Sequence, residues 1–388
     1  MKRELFLKAT EEIRKKPANL LNADSYLFER EFTKFYKDIE CIKYKEALYF
    51  RSNFYDHKFK NISLVFQSHH IKYIKSYLKE INERRKNVSF FRYIKFLIRY
   101  LFKIKFQFIK YISMVSLRSI IRFIRIHQLK NLNSINIEKG GLLTENWSWA
   151  NYFHWSHDFL PLILLYYESN KGENNICIPS SFLRKAPFVE ETLKILGIKY
   201  TILNNKSKYC FSNLEVIVAP LNPGNQRAYL IRNLRFKFYK SCNLKIKEKK
   251  EIIYISRRDN SKIANTNIRN ISNEEECIKL FKKFKIRVIT TLGLSVKEQF
   301  NIFSNCKTLI AIHGAGLTNM MFMKSGSNIL EIRQNDDKGN NCYFSMASAL
   351  EHNYYYLNAV NLKNTEIMNA SLYVDLNFLE NKLHEILN

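Results

Sequence analysis

From about residue 136 to its end the chain alternates short apolar runs, bounded by turn residues, with longer segments of helical periodicity. This alternation restricts the fold more than any other feature, because strands that alternate with helices form a parallel sheet covered on both faces. "ENNICIPS" (173–180), "KYTILNN" (199–205) and "LEVIVAP" (214–220) read as strands, and "APFVEETLKILGI" (186–198) and "NQRAYLIRNLRFKFY" (225–239) as helices. After the lysine-rich "NLKIKEKKE" (243–251), read as a linker, the pattern restarts. Strands "IIYISRR", "RVITT", "TLIAI", "NILEI" and "YYYLNAV" then alternate with helices "SNEEECIKLFKKF", "SVKEQFNIFSNC", "NCYFSMASALEH" and "NFLENKLHEIL". Capping boxes are expected from Ser272 to Glu275 and from Ser295 to Glu298. Two doubly wound units, 136–245 and 246–388, are therefore expected to face a cleft, with ligands at the carboxyl ends of the strands.

Residues 1–135 have a different texture and are expected to form a basic, mainly helical region. Of the formal charge of +28, most lies here: 30 Lys and Arg stand against 12 Asp and Glu. Such a charge favours anionic partners, whether nucleic acid, an acidic membrane face or phosphate-bearing substrates. In "FFRYIKFLIRYLFKIKFQFIKYISMVSLRSIIRFIRIHQLK" (90–130), basic residues recur at steps of three and four among aliphatic and aromatic ones. The pattern suits a helix lying on an anionic membrane surface and equally two amphipathic helices packed on a core. No run reaches the length of a transmembrane helix and no secretory signal is visible, so the expected location is cytoplasmic, with peripheral attachment to the inner face of the membrane in the first case. Seven dispersed cysteines without a C-x-x-C pair argue for a reducing compartment and against a disulfide framework or zinc site.

Three features of the second unit fall at expected strand ends. Arg257 and Arg258 follow "IIYIS", His313-Gly314-Ala315-Gly316 follows "TLIAI", and Glu331 lies inside or at the end of "NILEI". Glycines at a strand-to-helix turn let backbone approach a ligand, and the next helix offers unpaired N–H groups; a nearby arginine completes a diphosphate clamp. His313 is a candidate donor to the same phosphate, and Glu331 a candidate acceptor from ribose hydroxyls. The competing reading of the glycine turn is close packing alone. In the first unit, "WSWANYFHWSHDFLPLILLYYES" (147–169) places His154 and Asp158 four apart, on one helical face, with His157 adjacent. A general base, a weak metal site, or a buried structural histidine all fit that segment.

Together these residues resemble the family 61 glycosyltransferases, which include bacterial capsule-polysaccharide enzymes, plant xylosyl- and arabinosyltransferases and animal O-linked N-acetylglucosamine transferases. "NYFHWSHDFLP" is similar to the family's N-x-x-H-x-x-x-D-x-L-P block through Asn151, His154, Asp158, Leu160 and Pro161. "ISRRDNSKIANTNIRNISNEEE" is similar to its I-S-R and R-x-x-x-N-E blocks through Arg257, Arg269, Asn273 and Glu274. "HGAGLTNMMFMKSGSNILEI" is similar to its H-G-A-G-L-x-N block and following glutamate through His313, Gly314, Ala315, Gly316, Asn319 and Glu331. The family's arginine just after "LP" is replaced by Leu162 and Ile163, which removes an acceptor-side contact.

The resemblance implies a GT-B architecture and inverting, metal-independent transfer of a sugar from a nucleotide-sugar donor to a growing surface glycan such as capsule or O-antigen. It implies no cofactor, the nucleotide sugar being a co-substrate, and as partners the donor and a glycan or lipid-linked glycan acceptor. Arg257, Arg269, His313, Gly314, Ala315, Gly316, Asn319 and Glu331 are then expected to bind the donor. Asp158 is expected to be the base, with His154 as the alternative or as its orienting partner. Asn151, Asn273 and Glu274 are expected to shape the site. The alternative is a basic nucleic-acid-binding protein without catalytic activity, which the net charge suits but which no recognised binding motif supports.

Overall fold

The computed structural model describes residues 2–21, 24–50, 53–55, 133–143, 150–183, 186–218, 224, 226–243, 250–258, 269–335, 337, 341–362 and 370–388. The basic segment 90–130 and most of the expected linker lie outside them.

Two sheets dominate. The first contains β1 (Lys2–Leu7), β4 (Ile39–Phe50), β5 (Asn53–Tyr55), β6 (Ser134–Leu143), β7 (Asn175–Pro179), β8 (Tyr200–Leu203) and β9 (Lys208–Ile217). Its order is β1-β4-β9-β6-β7-β8, with β5 on β4. Strands β9, β6, β7 and β8 are mutually parallel. The chain thus runs from β6 outward through β7 and β8, then returns on the other side of β6 as β9, so the strand order reverses between β6 and β9.

The second sheet holds β10 (Glu251–Ile255), β11 (Asn270–Ile271), β12 (Arg287–Ile289), β13 (Cys306–Ile312), β14 (Asn328–Gln334), β15 (Asn353–Asn361) and β16 (Ser371–Tyr373), ordered β11-β16-β15-β14-β13-β10-β12. The run β12-β10-β13-β14-β15 is parallel throughout. Here the order reverses between β10 and β13. Each sheet therefore has one topological switch point, the place where open α/β sheets leave a crevice at their carboxyl ends.

Burial on both faces explains the apolar runs. In β13 the side chains of Leu309 and Ala311 pack toward one core while Ile310 and Ile312 pack toward another. The first of these cores is continuous with the first unit: Trp155, Leu160 and Ile163 share it with Ile253, Leu309 and Met320. The two sheets are thus joined by one apolar layer. Into it project α2 (Leu160–Ser169), α4 (Pro187–Ile195), α5 (Ala228–Ser241), α7 (Val296–Phe303) and α8 (Cys342–Ala349); α1 (Ser25–Phe32) packs on it through Leu27 and Phe28, and α3 (Ser180–Leu183) borders it. Helices α6 (Glu274–Lys283) and α9 (Leu376–Leu387) cover the opposite face of the second sheet.

Two expectations are corrected. The described residues 2–21, 24–50 and 53–55 are mainly strand, not mainly helix: among them only α1 is α-helical, β2 (Thr10–Ile13) pairs β3 (Thr33–Tyr36), and β1, β4 and β5 extend the first sheet. The reason is visible in "IECIKYKEALYF", where Tyr44 is buried, Lys45 exposed, Ala47 and Tyr49 buried, a near-alternating pattern interrupted at Glu46 (φ 57°), which the pairing with β9 skips. The Ser295–Glu298 capping box is present, but the one expected at Ser272 is not. There Ser272 donates to the Leu372 carbonyl at 3.2 Å instead, tying the helix start to β16. The helical segment expected after the His313 turn takes 3₁₀ form, Ala315–Phe322.

Candidate active site

The first switch point is built on a π-helical turn, His154–Phe159, leading into α2. Turns of this kind are rare and concentrate at functional sites. Asn151 starts it, its Oδ1 accepting the Phe153 N–H at 2.9 Å. Asp158, only 5% exposed, is the hub. His154 Nδ1 lies 2.8 Å from its Oδ2, and His157 Nδ1 lies 2.7 Å from its Oδ1. The backbone N–H of Gly224, beyond β9, donates to Oδ1 at 2.9 Å. Burial raises the Asp158 carboxyl, but the hydrogen bonds and charge of the two imidazoles outweigh it and hold it below the ordinary carboxylate value. An ionised carboxylate only accepts, so both Nδ1 atoms donate. The His154 side chain is 20% exposed, and its Nε2 is left as the atom able to receive a proton.

With both oxygens engaged and the side chain buried, the carboxylate holds the two imidazoles in place. The metal reading also loses its support, since the imidazoles converge on the carboxylate, and no three His, Cys, Asp or Glu among the described residues are grouped to hold an ion.

The second switch point carries a matching pair. His313 follows β13, and its Nδ1 bonds Glu331 Oε1 on the neighbouring β14. Tyr354 on β15 donates to Glu331 Oε2 at 2.6 Å. Glu331 is fully buried; burial raises its carboxyl, and the charge and hydrogen bond of His313, with Arg333 and Tyr354, bring it below the ordinary value. Enclosed in this way, the carboxylate meets His313 and Tyr354 and anchors the imidazole.

Cations gather around this histidine. Arg269 Nη1 donates to the His313 carbonyl. A Cβ on Gly314 would lie 2.8 Å from Arg257 Nη1, so the glycine makes room for that guanidinium. Burial lowers the pKa of Arg257, and burial followed by the charge of Arg257 lowers that of Arg269, which identifies a crowded positive site. Arg258 is turned away, paired with Glu275 at the surface.

Between the units lies a cavity of about 520 Å³. The second unit contributes Arg257, Ala315, Gly316, Asn319 and the 291–296 turn, and the first contributes Tyr152, Phe188 and Glu191. Asn319 donates to the Gly316 carbonyl at 3.1 Å and leaves its buried Oδ1 without a partner. Asn273 and Glu274 stand apart: Asn273 clamps both backbone groups of Val374, at 2.8 and 3.1 Å, and Glu274 accepts from Tyr254 at 2.7 Å. They hold the sheet, not a ligand.

Residues that sequence reasoning did not single out connect the two switch points. Phe153 stacks on His157, with ring centroids 4.8 Å apart, and meets Tyr343 edge-on at 4.9 Å; Tyr343 in turn meets His313 at 4.9 Å. Cys342 sits between the carboxylates, its thiol pushed up first by burial and then by Glu331 and Asp158. Gly224 belongs to a Pro-Gly turn beyond a strand, a legible signal for its position. Tyr343 lies in an ordinary apolar helix and gave none.

Two α/β sheets, each with a histidine–carboxylate pair near its switch point and arginines beside one of them, frame the candidate site. Residues 152–330 match the family Glycosyltransferase 61. The EGF domain-specific O-linked N-acetylglucosamine transferase of Drosophila melanogaster is 30% identical over 143 residues, which cover 35% of this chain and 25% of that protein. The chain therefore spans about a quarter of the relative that it matches.

Proposed function

We propose that the protein is an inverting glycosyltransferase of GT-B type that moves a sugar from a nucleotide-sugar donor to a growing surface glycan, of capsule or O-antigen kind. The observation that carries the reading is the pair of histidine–carboxylate contacts, His154 with Asp158 in the first unit and His313 with Glu331 in the second, where Arg269 also donates to the His313 carbonyl. The family match and the name of the relative support glycosyl transfer, and the relative makes a nucleotide-activated N-acetylglucosamine the first donor to test.

In this proposal the donor diphosphate lies against Arg257, Arg269, His313 and the N–H groups of the Gly314–Gly316 turn. The acceptor hydroxyl gives its proton to His154 Nε2 while its oxygen attacks the anomeric carbon from the face opposite the diphosphate. The bond from that carbon to the diphosphate oxygen breaks, and the configuration inverts. Asp158 supports the imidazolium that forms, with Nδ1 fixed as donor. Charge growing on the departing diphosphate meets preorganised cations, which supply the stabilisation a divalent ion would otherwise give, so neither metal nor cofactor is required. Tyr152 and Phe188 offer aromatic surface at the cavity's first-unit wall. We further propose a cytoplasmic location with peripheral attachment to the inner face of the membrane; no helix among the described residues is long and apolar enough to cross one.

The test is transfer and donor hydrolysis against a panel of nucleotide sugars, with glycan and EGF-domain acceptors in separate arms. Transfer to a glycan with an inverted anomeric centre supports the reading; transfer to the EGF domain alone replaces the acceptor; no turnover of any donor contradicts it. The nucleic-acid alternative predicts steeply salt-dependent oligonucleotide binding without turnover.

A further inference from the structure

A second cavity, of about 550 Å³, opens on the other side of α5, lined by Arg232, Arg235, Phe236, Tyr239, Lys240 and Lys324 among others, with no carboxylate among its lining residues. Arg235 forms its floor, fixed by the Leu350 carbonyl at 3.0 Å and by Ser325 Oγ at 2.9 Å. Burial lowers its pKa, yet a guanidinium remains charged, so a cation is built into the surface and held in place. Glu351, the carboxylate at the rim, is held by Arg232 at 3.0 Å.

The solvent face of α5 continues this chemistry. Tyr229, Arg232, Phe236 and Lys240 recur at steps of three and four, on one stripe of the helix. Tyr229 is 45% and Phe236 62% exposed, whereas Leu230, Ile231, Leu234 and Phe238 are buried in the core. The core thus leaves two aromatic rings in water, each neighboured by cations. Aromatic rings between basic side chains suit a headgroup layer, where the rings enter the apolar boundary and the cations meet phosphates.

We propose that this face of α5, with Lys324, is a docking surface for an anionic phospholipid membrane. Charge complementarity selects the occupant: the chain's own basic 90–130 segment is repelled from it, whereas an anionic leaflet is attracted. The surface is distinct from that segment and independent of the reading of the active site, because the cavity shares no residue with the donor cavity.

Flotation of the full chain with vesicles of phosphatidylcholine alone, and with phosphatidylglycerol added, tests it. The wild type is expected to bind only the anionic vesicles, less as salt rises. Arg232→Glu with Lys240→Glu should weaken that binding roughly 10- to 30-fold or more. Phe236→Ser, at a solvent-exposed position, should weaken it several-fold at unchanged charge, with melting temperature and donor turnover as in the wild type. Vesicle binding equal to wild type in both variants overturns the proposal, as does failure of the wild type to bind anionic vesicles. Loss of oligonucleotide binding with vesicle binding retained overturns it in favour of a nucleic-acid surface.

Discussion

The two switch points use the same pair of residue types to opposite effect. At the first, Asp158 serves two imidazoles and a backbone N–H, and its partners among the described residues include no arginine. At the second, Glu331 serves one imidazole and one tyrosine, while Arg269 donates to the His313 carbonyl and Arg257 lies against Gly314. In the proposed mechanism His154 takes the acceptor proton, whereas His313, whose carbonyl accepts from Arg269, meets the donor diphosphate.

The comparison breaks most sharply at His154. His154→Ala should lower transfer by about 10²–10⁴-fold while donor affinity stays within a few-fold of wild type, as initial rates and calorimetry would show. Arg257→Ala should do the reverse, raising the donor Kd by one to two orders of magnitude, in line with about 1.5–3 kcal/mol for a charged hydrogen bond. If both variants lose binding and turnover alike, the division between the sites is wrong.

A smaller effect is expected at Gly224. Its φ is +78°, and a Cβ added there would lie 2.7 Å from the Cβ of Cys342, which leaves no room for a side chain. Gly224→Ala should destabilise by about 1–3 kcal/mol and reduce turnover by displacing the N–H that holds Asp158. Chemical denaturation beside kinetics would separate the two losses. The smallest effect on function is expected of Asn273→Ala, which removes two hydrogen bonds to Val374 at about 0.5–1.5 kcal/mol each and should leave the donor Kd unchanged.

The carboxylates also predict a pH dependence. Asp158 and Glu331 are both held below their ordinary values, so each adds stability above the unfolded carboxylate range near about pH 4. That stability is lost as pH falls through the lowered folded values. Melting temperature measured on the acid side should fall less steeply in Asp158→Asn and in Glu331→Gln than in the wild type.

Much of the second unit was legible in the sequence because its information is local. Continuous apolar runs announced buried strands, and a glycine turn after "TLIAI" marked the strand end where His313 lies. What was not legible depends on distant partners. Glu331 drew notice as a charge in a buried strand, yet its role follows from Tyr354 on the next strand, which no spacing rule links to it. Asp158 and His154 were seen as a pair, but which of them faces the substrate depends on His157 and Gly224, the latter 66 residues away. The N-terminal strands escaped because charged and aromatic residues alternate there on a two-residue period, easily mistaken for the helical spacing of the basic segment that follows. Asn273 and Glu274 matched a motif and turned out to brace β16 and β10, so a motif position is not by itself a ligand contact.

The most direct test of the central claim is calorimetric titration of a nucleotide sugar that the wild type turns over, repeated on His154→Ala and Arg257→Ala at the same pH and salt. The account predicts that His154→Ala binds the donor as the wild type does without transferring the sugar, and that Arg257→Ala loses most of the binding. Donor affinity lost in His154→Ala and kept in Arg257→Ala would contradict it.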